Sequence, residues 1–365
     1  MPKSNLHGLA HAGVSVWSDQ ISKAMLDRGE LTRLIENDAV SGVTSNPTIF
    51  AGAIVGSDDY DEPLHDLKSA GTPTEEIVKS LMASDITRAC DELASTFRAT
   101  DGRDGFVSVE VSPTLASDTD ATVLEARDWV KQINRPNLLV KVPATPEGIP
   151  AIRRLIAEGI SVNVTLIFSI QRYREVIRAY MDGLEHFHEA GGSLSTVASV
   201  ASFFVSRFDS EVDRRLEGTD SPEAESLMGV TAVANARVAY GEFINEFGSS
   251  RFGMLAAKGA HPQKPLWAST STKNPNYDDL LYVTNLVAPN TVNTMPLSTI
   301  AAYQDHGDPS PRQFNEIDIE EAQRALEILE DIGIVYEDVV QTLENEGVDK
   351  FVGSWREVLA DVAKA

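Results

Sequence analysis

One lysine of this chain lies in a run of apolar residues that would separate its charge from water. Lys141 stands within the segment LLVKVP, which covers positions 138 to 143. Burying an ammonium group is costly unless the group is paired or loses its proton. A neutral amine is the nucleophile that attacks a ketone to form a Schiff base. The segment therefore predicts either a Schiff-base lysine or a lysine held in a buried ion pair.

Two acidic residues have comparable surroundings. Glu110 lies between valines in the segment VSVEV of positions 107 to 111, and Asp19 ends the segment VSVWSD of positions 14 to 19. A carboxyl buried on a strand is either paired or held neutral, and a raised pKa suits an acid/base catalyst near neutral pH. With Lys141, these carboxyls could divide the proton transfers of a carbonyl reaction, or they could only neutralise the lysine. Asp19 has a further alternative, because Ser18-Asp19 could cap the helix that follows.

A metal ion is the other common means of activating a carbonyl. None of the seven histidines falls inside a predicted strand, and the stretch from His186 to Glu189 lies late in an amphipathic helix. Such a stretch is more typical of a solvated helix end than of a zinc site. Cys90 is the only cysteine, which excludes a thiolate cluster and an intramolecular disulfide, and the helical spacing around it indicates a core thiol. The residues favour lysine chemistry without a metal or cofactor.

Composition excludes several classes of protein. The chain has 365 residues, of which 42% are hydrophobic and 24% charged, so it can bury a large core and is not a disordered protein. Its formal net charge is −24, which makes nucleic acid and anionic membranes poor partners. A phosphorylated ligand would need local arginine, lysine or backbone N–H groups. Since no secretion signal or long apolar span is visible, we expect a cytoplasmic protein, either a monomer or a weak homo-oligomer.

The order of elements indicates the fold. Short β-branched apolar runs alternate with helical patterns, and eight such runs stand at positions 14–17, 39–44, 106–111, 137–142, 161–168, 196–200, 264–269 and 291–295. The alternation predicts a parallel (β/α)8 barrel of the TIM type, with a doubly wound open sheet as the competitor. No glycine-rich nucleotide motif supports the open sheet. We therefore expect one barrel domain over residues 1–365, with helical insertions after the second and sixth strands and a helical extension from about residue 300.

Three segments predict helix starts. Ser169 precedes an amphipathic stripe, and Ser221-Pro222 opens a helical stretch that reaches Phe247. Thr72-Pro73-Thr74-Glu75 has the pattern of a capping box with proline at the first helical position.

Polar residues recur at the carboxyl ends of the predicted strands, where a barrel of this kind places its chemistry. In strand order they are Asp19; Thr44, Ser45 and Asn46; Glu110; Lys141; Asn163 and Thr165; Ser202 and Arg207; Ser269 and Lys273; and Asn293 and Thr294.

At these residues the sequence resembles the transaldolase family, and the resemblance runs from about residue 14 to residue 296. The matching segments are GVTSNPTIF at 42–50, VSVEVSP at 107–113, NLLVKVPATPEG at 137–148, VNVTLIFS at 162–169, ASVASFFVSRFD at 198–209 and LWASTSTKNP at 266–275. The chain resembles in particular the longer bacterial members with the VPATPEG signature. The resemblance implies a (β/α)8 barrel.

The resemblance also implies roles for individual residues. Lys141 matches the Schiff-base lysine, Glu110 the acid/base glutamate that works through a water, Asp19 the aspartate that handles a hydroxyl proton, and Thr165 the threonine that positions that water. Asn46 and Asn163 match asparagines that hold the hydroxyls of a three-carbon unit. Thr44, Ser202 and Phe204 match residues lining the pocket, and Arg207 matches a phosphate-binding arginine.

One position departs from the better-known members, which carry a second phosphate-binding arginine shortly after the seventh strand. Here the segment reads STSTKN at 269–274. Lys273 could supply the charge, but as a point charge without a bidentate fork. Ser269 or Ser271 could contribute a hydroxyl.

The activity implied is transfer of a dihydroxyacetone unit from sedoheptulose 7-phosphate or fructose 6-phosphate to glyceraldehyde 3-phosphate or erythrose 4-phosphate, in the non-oxidative pentose phosphate pathway. One alternative is a fructose 6-phosphate aldolase, but members with that activity carry Gln and Tyr where this chain has Glu110 and Phe204. The other alternative is a sugar-phosphate-binding barrel without catalysis, in which Lys141 is only an ion-pair partner.

Overall fold

A closed parallel barrel forms the centre of the molecule. The structure is a computed structural model that describes residues 4–55 and 57–364. Within these residues, eight strands follow one another around the barrel in chain order, and the first pairs with the last. The strands are β1 (Val14–Ser18), β2 (Val40–Val43), β3 (Val107–Glu110), β4 (Leu138–Pro143), β5 (Val162–Ile167), β6 (Ser199–Phe204), β7 (Lys264–Ala268) and β8 (Thr291–Met295). The prediction of a barrel rather than an open sheet is confirmed.

Helices cover the outside of the barrel. They are α1 (Leu6–His11), α2 (Lys23–Asp27), α3 (Glu30–Asn37), α4 (Pro47–Val55), α5 (Asp61–Ser69), α6 (Thr74–Ala99), α7 (Thr119–Ile133), α8 (Gly148–Ala157), α9 (Ile170–Glu189), α10 (Ser206–Leu216), α11 (Pro222–Leu227), α12 (Thr231–Phe247), α13 (Ser250–Ala256), α14 (Leu281–Asn285), α15 (Leu297–His306), α16 (Glu316–Asp331) and α17 (Tyr336–Lys364). The extra helices after β2 and β6, and the helical segment after β8, lie where the sequence predicted them. Among the described helices, none has the length and apolar content needed to cross a membrane.

The strands are buried on both faces, as their β-branched sequences require. All residues of β3, β4, β5, β6 and β8 are buried. In register, Glu110 pairs with Lys141, and Lys141 pairs with Asn163. These three polar residues are therefore neighbours on three adjacent strands of the barrel.

The sixth strand differs from its prediction at both ends. The prediction placed it at residues 196–200, but Leu194–Thr196 form a 3-10 turn, and the strand runs from Ser199 to Phe204. In the turn, the Thr196 hydroxyl and amide both bond to the carbonyl of Ser193, which satisfies these groups locally. The aromatic end of the strand pairs with β7, up to Phe204 beside Ala268.

Two of the predicted helix starts are confirmed. Ser169 caps α9 by accepting a hydrogen bond from the amide of Arg172, and Ser221 caps α11 ahead of Pro222. The predicted stretch from Ser221 to Phe247 is interrupted, however, because Gly229 adopts a left-handed conformation (φ 69°) between α11 and α12.

The third predicted start was wrong in detail. Pro73 occupies the N-cap position of α6 rather than its first turn, and no side chain caps this helix end. Since a proline ring offers no oxygen acceptor, the capping box cannot form. Cys90, on the same helix, is fully buried, so the prediction of a core thiol is confirmed.

The C-terminal helix α17 lies across the carboxyl end of the barrel. It packs against α4, α6, α10 and β5. Gly347 fits against β5, where an added Cβ would lie 3.1 Å from Leu166 Cδ2. Phe351, one turn further on, is buried and lines the barrel mouth. The helix therefore covers the end of the barrel at which the polar residues gather.

Left-handed backbone occurs at two residues beside this mouth. Leu166 (φ 57°) follows Thr165 at an irregularity in the pairing of β5 with β6, and Ser269 (φ 58°) directly follows β7. Residues that carry a Cβ rarely adopt this backbone conformation, because it costs them roughly 1–2 kcal/mol. A third such residue, Ala39 (φ 56°), precedes β2 at the other end of its strand.

Candidate active site

A buried ion pair lies at the floor of the barrel mouth. The Nζ atom of Lys141 donates to the carbonyl oxygen of Ser45 at 2.6 Å and to Oε2 of Glu110 at 3.1 Å. Only 6% of Lys141 and 4% of Glu110 are exposed. Burial raises the pKa of the Glu110 carboxyl, and the attraction of Lys141 opposes this effect. The glutamate is thus ready to accept a proton from the amine beside it.

Thr165 touches the same carboxylate. Thr165 lies on β5, two strands away from Glu110 on β3, and its hydroxyl donates to Oε1 of Glu110 at 3.3 Å. Because Oε2 faces the lysine, the two oxygens of Glu110 have separate partners. This arrangement fixes the orientation of the carboxylate relative to the amine.

Asn163 is buried beneath the residues that line the barrel mouth. Its side chain is fully buried, where its amide donates to Ser108 Oγ at 3.1 Å and its carbonyl accepts from Ser202 Oγ at 2.7 Å. It does not line the cavity above. The Asn163 side chain thus fixes the orientation of the Ser202 hydroxyl, which borders the cavity.

A cavity of about 120 Å³ opens above the ion pair. Its lining consists of Asp19, Thr44, Asn46, Lys141, Thr165, Ser202, Phe204, Arg207, Ala268, Ser269, Thr294 and Phe351. Most of the residues predicted from the sequence are in this set. Glu110 and Asn163 stand behind the wall, and Lys273 is exposed outside it.

Asp19 contributes a carboxyl to one side of the cavity. Its Oδ1 atom is buried and has no hydrogen-bond partner among the described residues. Burial raises the pKa of Asp19 to about 6, against the opposing attraction of Lys273 and Lys141. The capping alternative for Asp19 was wrong, because Ser22 caps α2 by accepting from the amide of Met25. Asp19 is therefore available for proton transfer.

Two further polar residues border the cavity from β2 and the start of α4. The hydroxyls of Thr44 and Thr294 are 2.7 Å apart. Asn46 Oδ1 accepts from the amide of Ile49 at 3.0 Å, as a helix cap does. Within the described part of the chain the NH2 group of Asn46 has no partner, so it remains a donor for a ligand hydroxyl.

Arg207 supplies the positive charge of the cavity wall. Its guanidinium lies 5.1 Å from the ring centre of Phe204 and 5.8 Å from that of Phe351. Among the residues that the structure describes, it has neither a hydrogen bond nor an ion pair. Burial lowers the pKa of Arg207, while Glu110 and Glu346 oppose that effect. A cation held between two aromatic faces with its donors free is suited to bind an anion.

Ser269 and Lys273 belong to the loop that follows β7. Ser269 Oγ lies 2.8 Å from Ser206 Oγ, and its carbonyl accepts from the amide of Ser206 at 3.0 Å. Lys273 Nζ donates to Ser271 Oγ at 2.6 Å. The predicted phosphate-binding residues therefore lie on two adjoining segments.

Tyr277 fastens this loop to α10. Its hydroxyl donates to Oδ2 of Asp213 at 2.8 Å, while the amide of Gly229 donates to Oδ1 of the same carboxylate at 3.1 Å. A Cβ on Gly229 would lie 2.8 Å from the Tyr277 ring. Because α10 also begins at Ser206 and carries Arg207, this contact links the loop of Lys273 to the helix of Arg207.

Sequence reasoning missed several parts of the site. The Ser45 carbonyl is a backbone acceptor within the GVTSNP segment, and Thr294 was noted only as a polar strand end. Phe351 gave no signal, because the helical extension carries no motif that would place it at the mouth.

A larger groove of about 550 Å³ lies between α6 and α7, around Trp129, but it is remote from the ion pair. No three potential metal-ligating side chains cluster within the described ranges.

Comparisons of the amino-acid sequence with known proteins give matches over nearly the whole chain. A family model described as transaldolase/fructose-6-phosphate aldolase matches residues 16–362. The chain is 53% identical over 361 residues to a protein named transaldolase from Thermobifida fusca (strain YX), covering 99% of this chain and 98% of that one. It is 53% identical over 360 residues to one from Acidothermus cellulolyticus, covering 98% and 95%. It is 51% identical over 355 residues to one from Mycolicibacterium smegmatis, covering 97% and 95%.

Proposed function

Because the chain belongs to the transaldolase/fructose-6-phosphate aldolase family, we propose that Lys141 carries the Schiff base of its reaction. The enzyme is a transferase of the transaldolase type, and the family acts on sugar phosphates. The observation that carries the assignment is the Lys141 amine at 3.1 Å from the Glu110 carboxylate, at the floor of a polar cavity.

In the first step, the amine attacks the C2 carbonyl of a ketose phosphate. The ammonium of Lys141 passes a proton to Glu110, which its burial makes a good acceptor. The neutral amine adds to the ketone and forms a carbinolamine. Glu110, oriented by Thr165, then returns a proton to the departing hydroxyl through a water. Loss of water leaves an iminium on Lys141.

In the second step, the iminium acts as an electron sink for cleavage. Asp19 removes the proton of the C4 hydroxyl, and the C3–C4 bond breaks. An aldose phosphate leaves, and a dihydroxyacetone unit stays on Lys141 as an enamine. The enamine then adds to the aldehyde of a second aldose phosphate, with Asp19 returning its proton, and hydrolysis releases the new ketose phosphate.

The remaining cavity residues hold the two ends of the substrate. Thr44, Asn46 and Ser202 offer hydroxyl and amide groups to the three-carbon unit, and Asn163 orients Ser202. Phe204 and Arg207 lie in contact in the cavity lining, where Arg207 binds the phosphate with Ser269 and Lys273. The donors are ketose phosphates such as sedoheptulose 7-phosphate or fructose 6-phosphate, and the acceptors are glyceraldehyde 3-phosphate or erythrose 4-phosphate.

Two alternatives lead to different measurements. A fructose 6-phosphate aldolase would release free dihydroxyacetone, but Glu110 and Phe204 stand where members with that activity carry Gln and Tyr. A binding protein would need only the ion pair, which is present. It would not need Asp19, whose buried oxygen lacks a partner among the described residues. Transfer therefore accounts for more of the site.

The first experiment is borohydride trapping with fructose 6-phosphate and no acceptor, followed by intact mass and peptide mapping. We expect a reduced three-carbon adduct on the peptide that contains Lys141, and none on the Lys141→Met variant. An unmodified chain that still binds fructose 6-phosphate would overturn the lysine mechanism in favour of the binding protein. Release of free dihydroxyacetone at the rate of cleavage, without acceptor, would instead identify an aldolase.

A further inference from the structure

The last strand of the barrel contributes a hydroxyl to the cavity above Lys141. Thr294 of β8 is buried and lines that cavity together with Asp19 and Thr44. None of the proposed steps uses its hydroxyl. A buried hydroxyl that borders a substrate cavity either bonds only within the protein or also contacts the ligand, and its partners decide between the two.

The backbone around Asp19 places the strand ends of two threonines on either side of it. In the barrel, β1 lies between β2 and β8. The amide of Thr44, at the end of β2, donates to the carbonyl of Ser18 at 2.8 Å, and the amide of Asp19 donates to the carbonyl of Met295 at 2.9 Å. Thr294 directly precedes Met295 on β8. Asp19 therefore joins the cavity lining between the strands of Thr44 and Thr294.

The hydroxyls of these two threonines bond to each other. The Oγ1 atoms of Thr44 and Thr294 are 2.7 Å apart, and within the described ranges neither hydroxyl has a second hydrogen-bond partner. A hydroxyl has one donor and two acceptor positions, so a bond between two hydroxyls leaves one O–H and several lone pairs unused. These unused groups are available to a ligand, because both side chains line the cavity.

A third threonine fixes the position of Thr294. The Oγ1 atom of Thr270, a fully buried residue in the loop after β7, lies 3.1 Å from the carbonyl oxygen of Thr294 and 2.9 Å from Oδ1 of Asn293. Thr294 is thus held through its backbone by Thr270 and through its hydroxyl by Thr44. A group held in this way loses little further freedom when it binds a ligand.

The position of Thr294 indicates which part of the substrate it contacts. Thr44 offers its hydroxyl to the three-carbon unit that stays on Lys141, and C4 is the next carbon of the ketose chain. Thr294 is the neighbour of Thr44 in the lining. Asp19 must take the proton of the C4 hydroxyl, which requires that this hydroxyl be held toward the carboxylate. As the proton leaves and the electrons of the C3–C4 bond move to the iminium, an O–H donor at the C4 oxygen stabilises its developing charge.

We propose that Thr294 is a substrate-binding residue that holds the C4 hydroxyl of the ketose phosphate against Asp19 and thereby selects the configuration at C4. The assignment rests on the proposed function, because it names the contact for one hydroxyl of the same substrate. A sugar with the opposite configuration at C4 directs its hydroxyl away from this contact. Dihydroxyacetone has no C4, so its Schiff base with Lys141 does not depend on Thr294.

The test compares Thr294→Val with wild type and with Thr291→Val. Thr291 lies on the same strand, is fully buried, and donates to the carbonyl of Ala288 at 2.7 Å outside the cavity lining. For Thr294→Val we expect kcat/KM for fructose 6-phosphate to fall about tenfold, as for loss of one hydrogen bond. Borohydride trapping with dihydroxyacetone should match wild type. Thr294→Ser should keep most of the activity, and Thr291→Val should change neither measurement.

Tagatose 6-phosphate, which differs from fructose 6-phosphate only in the configuration at C4, tests the selection directly. We expect the ratio of kcat/KM for fructose 6-phosphate to that for tagatose 6-phosphate to fall about fivefold or more in Thr294→Val. The ratio should stay at the wild-type value in Thr291→Val.

Three results would overturn the proposal. The first is an unchanged kcat/KM for fructose 6-phosphate in Thr294→Val, and the second is an unchanged ratio between the two epimers. The third is an equal loss of trapping with dihydroxyacetone, which would assign Thr294 to the packing of the barrel alone.

Failure of the proposed function is recognised separately, because wild type would then form no Schiff base with either compound. In that case, calorimetric binding of fructose 6-phosphate to Lys141→Met still tests the contact. The Kd should rise severalfold when Thr294→Val is added, and an unchanged Kd would overturn the proposal.

Discussion

Lys141 and Glu110 occupy paired positions on β4 and β3, with Nζ and Oε2 3.1 Å apart and both side chains almost completely buried. Each charge therefore offsets most of the free-energy cost of burying the other. Removing either one leaves a buried charge, which is costly to the fold. The pair that we assign to catalysis is therefore also part of the stability of the barrel.

Glu110→Gln should separate these two roles. The amide keeps the shape of the side chain but cannot take the proton of Lys141, so we expect kcat to fall by about 10²–10⁴-fold. The free energy of unfolding should drop by about 3–5 kcal/mol, because the lysine loses its partner. Single-turnover kinetics and urea unfolding measure the two effects.

The double variant Glu110→Gln with Lys141→Met is the control. It contains no buried charge at this position, so it should recover part of the stability lost in Glu110→Gln while remaining inactive. If the losses in unfolding free energy of the two single variants instead add in full in the double variant, the two charges do not compensate each other as described.

Asp19 should produce an acidic limb in the pH profile of kcat/KM. Its pKa is raised to about 6 by burial, and the ionised form is the base that cleavage requires. We expect kcat/KM to fall as the pH drops through about 6. In Asp19→Asn that limb should be absent and kcat much lower. A limb near pH 6 that survives in Asp19→Asn would assign it to another group.

The same carboxyl should affect stability with a definite sign. Its folded pKa of about 6 exceeds the ordinary value of 3.8, so ionising Asp19 disfavours the folded state. That effect is absent below about pH 4 and complete above about pH 6. Asp19→Asn should therefore stabilise the protein by about 1–3 kcal/mol at pH 8 and much less at pH 4. Urea unfolding at the two pH values checks this.

Tyr277→Phe should loosen the loop that carries Lys273. It removes the hydrogen bond to Asp213 but keeps the ring against Gly229. We expect KM for sugar phosphates to rise severalfold, with a stability loss of about 1 kcal/mol. Tyr303→Phe is a matched control, since it loses a bond to the carbonyl of Asp308 outside the cavity. Equal effects of the two variants on KM would contradict the positioning role.

Ala39→Gly should stabilise the enzyme without altering turnover. Ala39 holds a left-handed conformation that glycine adopts without a Cβ clash. We expect a gain of about 1 kcal/mol in the free energy of unfolding, measured by thermal and urea unfolding, and unchanged kcat and KM. A loss of stability would mean that the packing of the Ala39 methyl group contributes more free energy than its left-handed backbone costs.

The sequence predicted the barrel well because its signals are local. β-branched runs with polar residues at their ends identify strands and their catalytic ends without knowledge of distant contacts. The boundaries of β6 were less predictable. Whether Thr196 extends the strand or turns back to Ser193 depends on which hydrogen bonds the chain satisfies locally.

Depth and long-range packing were not predictable. Asn163 and Thr165 share a strand face, yet the first lies beneath the cavity and the second lines it. This difference depends on the tilt and stagger of the strands in the closed barrel. Phe351 reaches the mouth only because α17 folds back over it and packs against Leu166, which is about 180 residues distant in sequence.

The left-handed residues beside the mouth have a consequence for engineering. Leu166 directs its side chain to Gly347 of α17, and Ser269 meets Ser206 at the start of α10, so both strained positions support parts of the site. Relieving that strain would raise the melting temperature at the expense of the geometry that holds substrate. A more heat-resistant variant with undiminished turnover should thus be sought at the opposite end of the barrel, around positions such as Ala39.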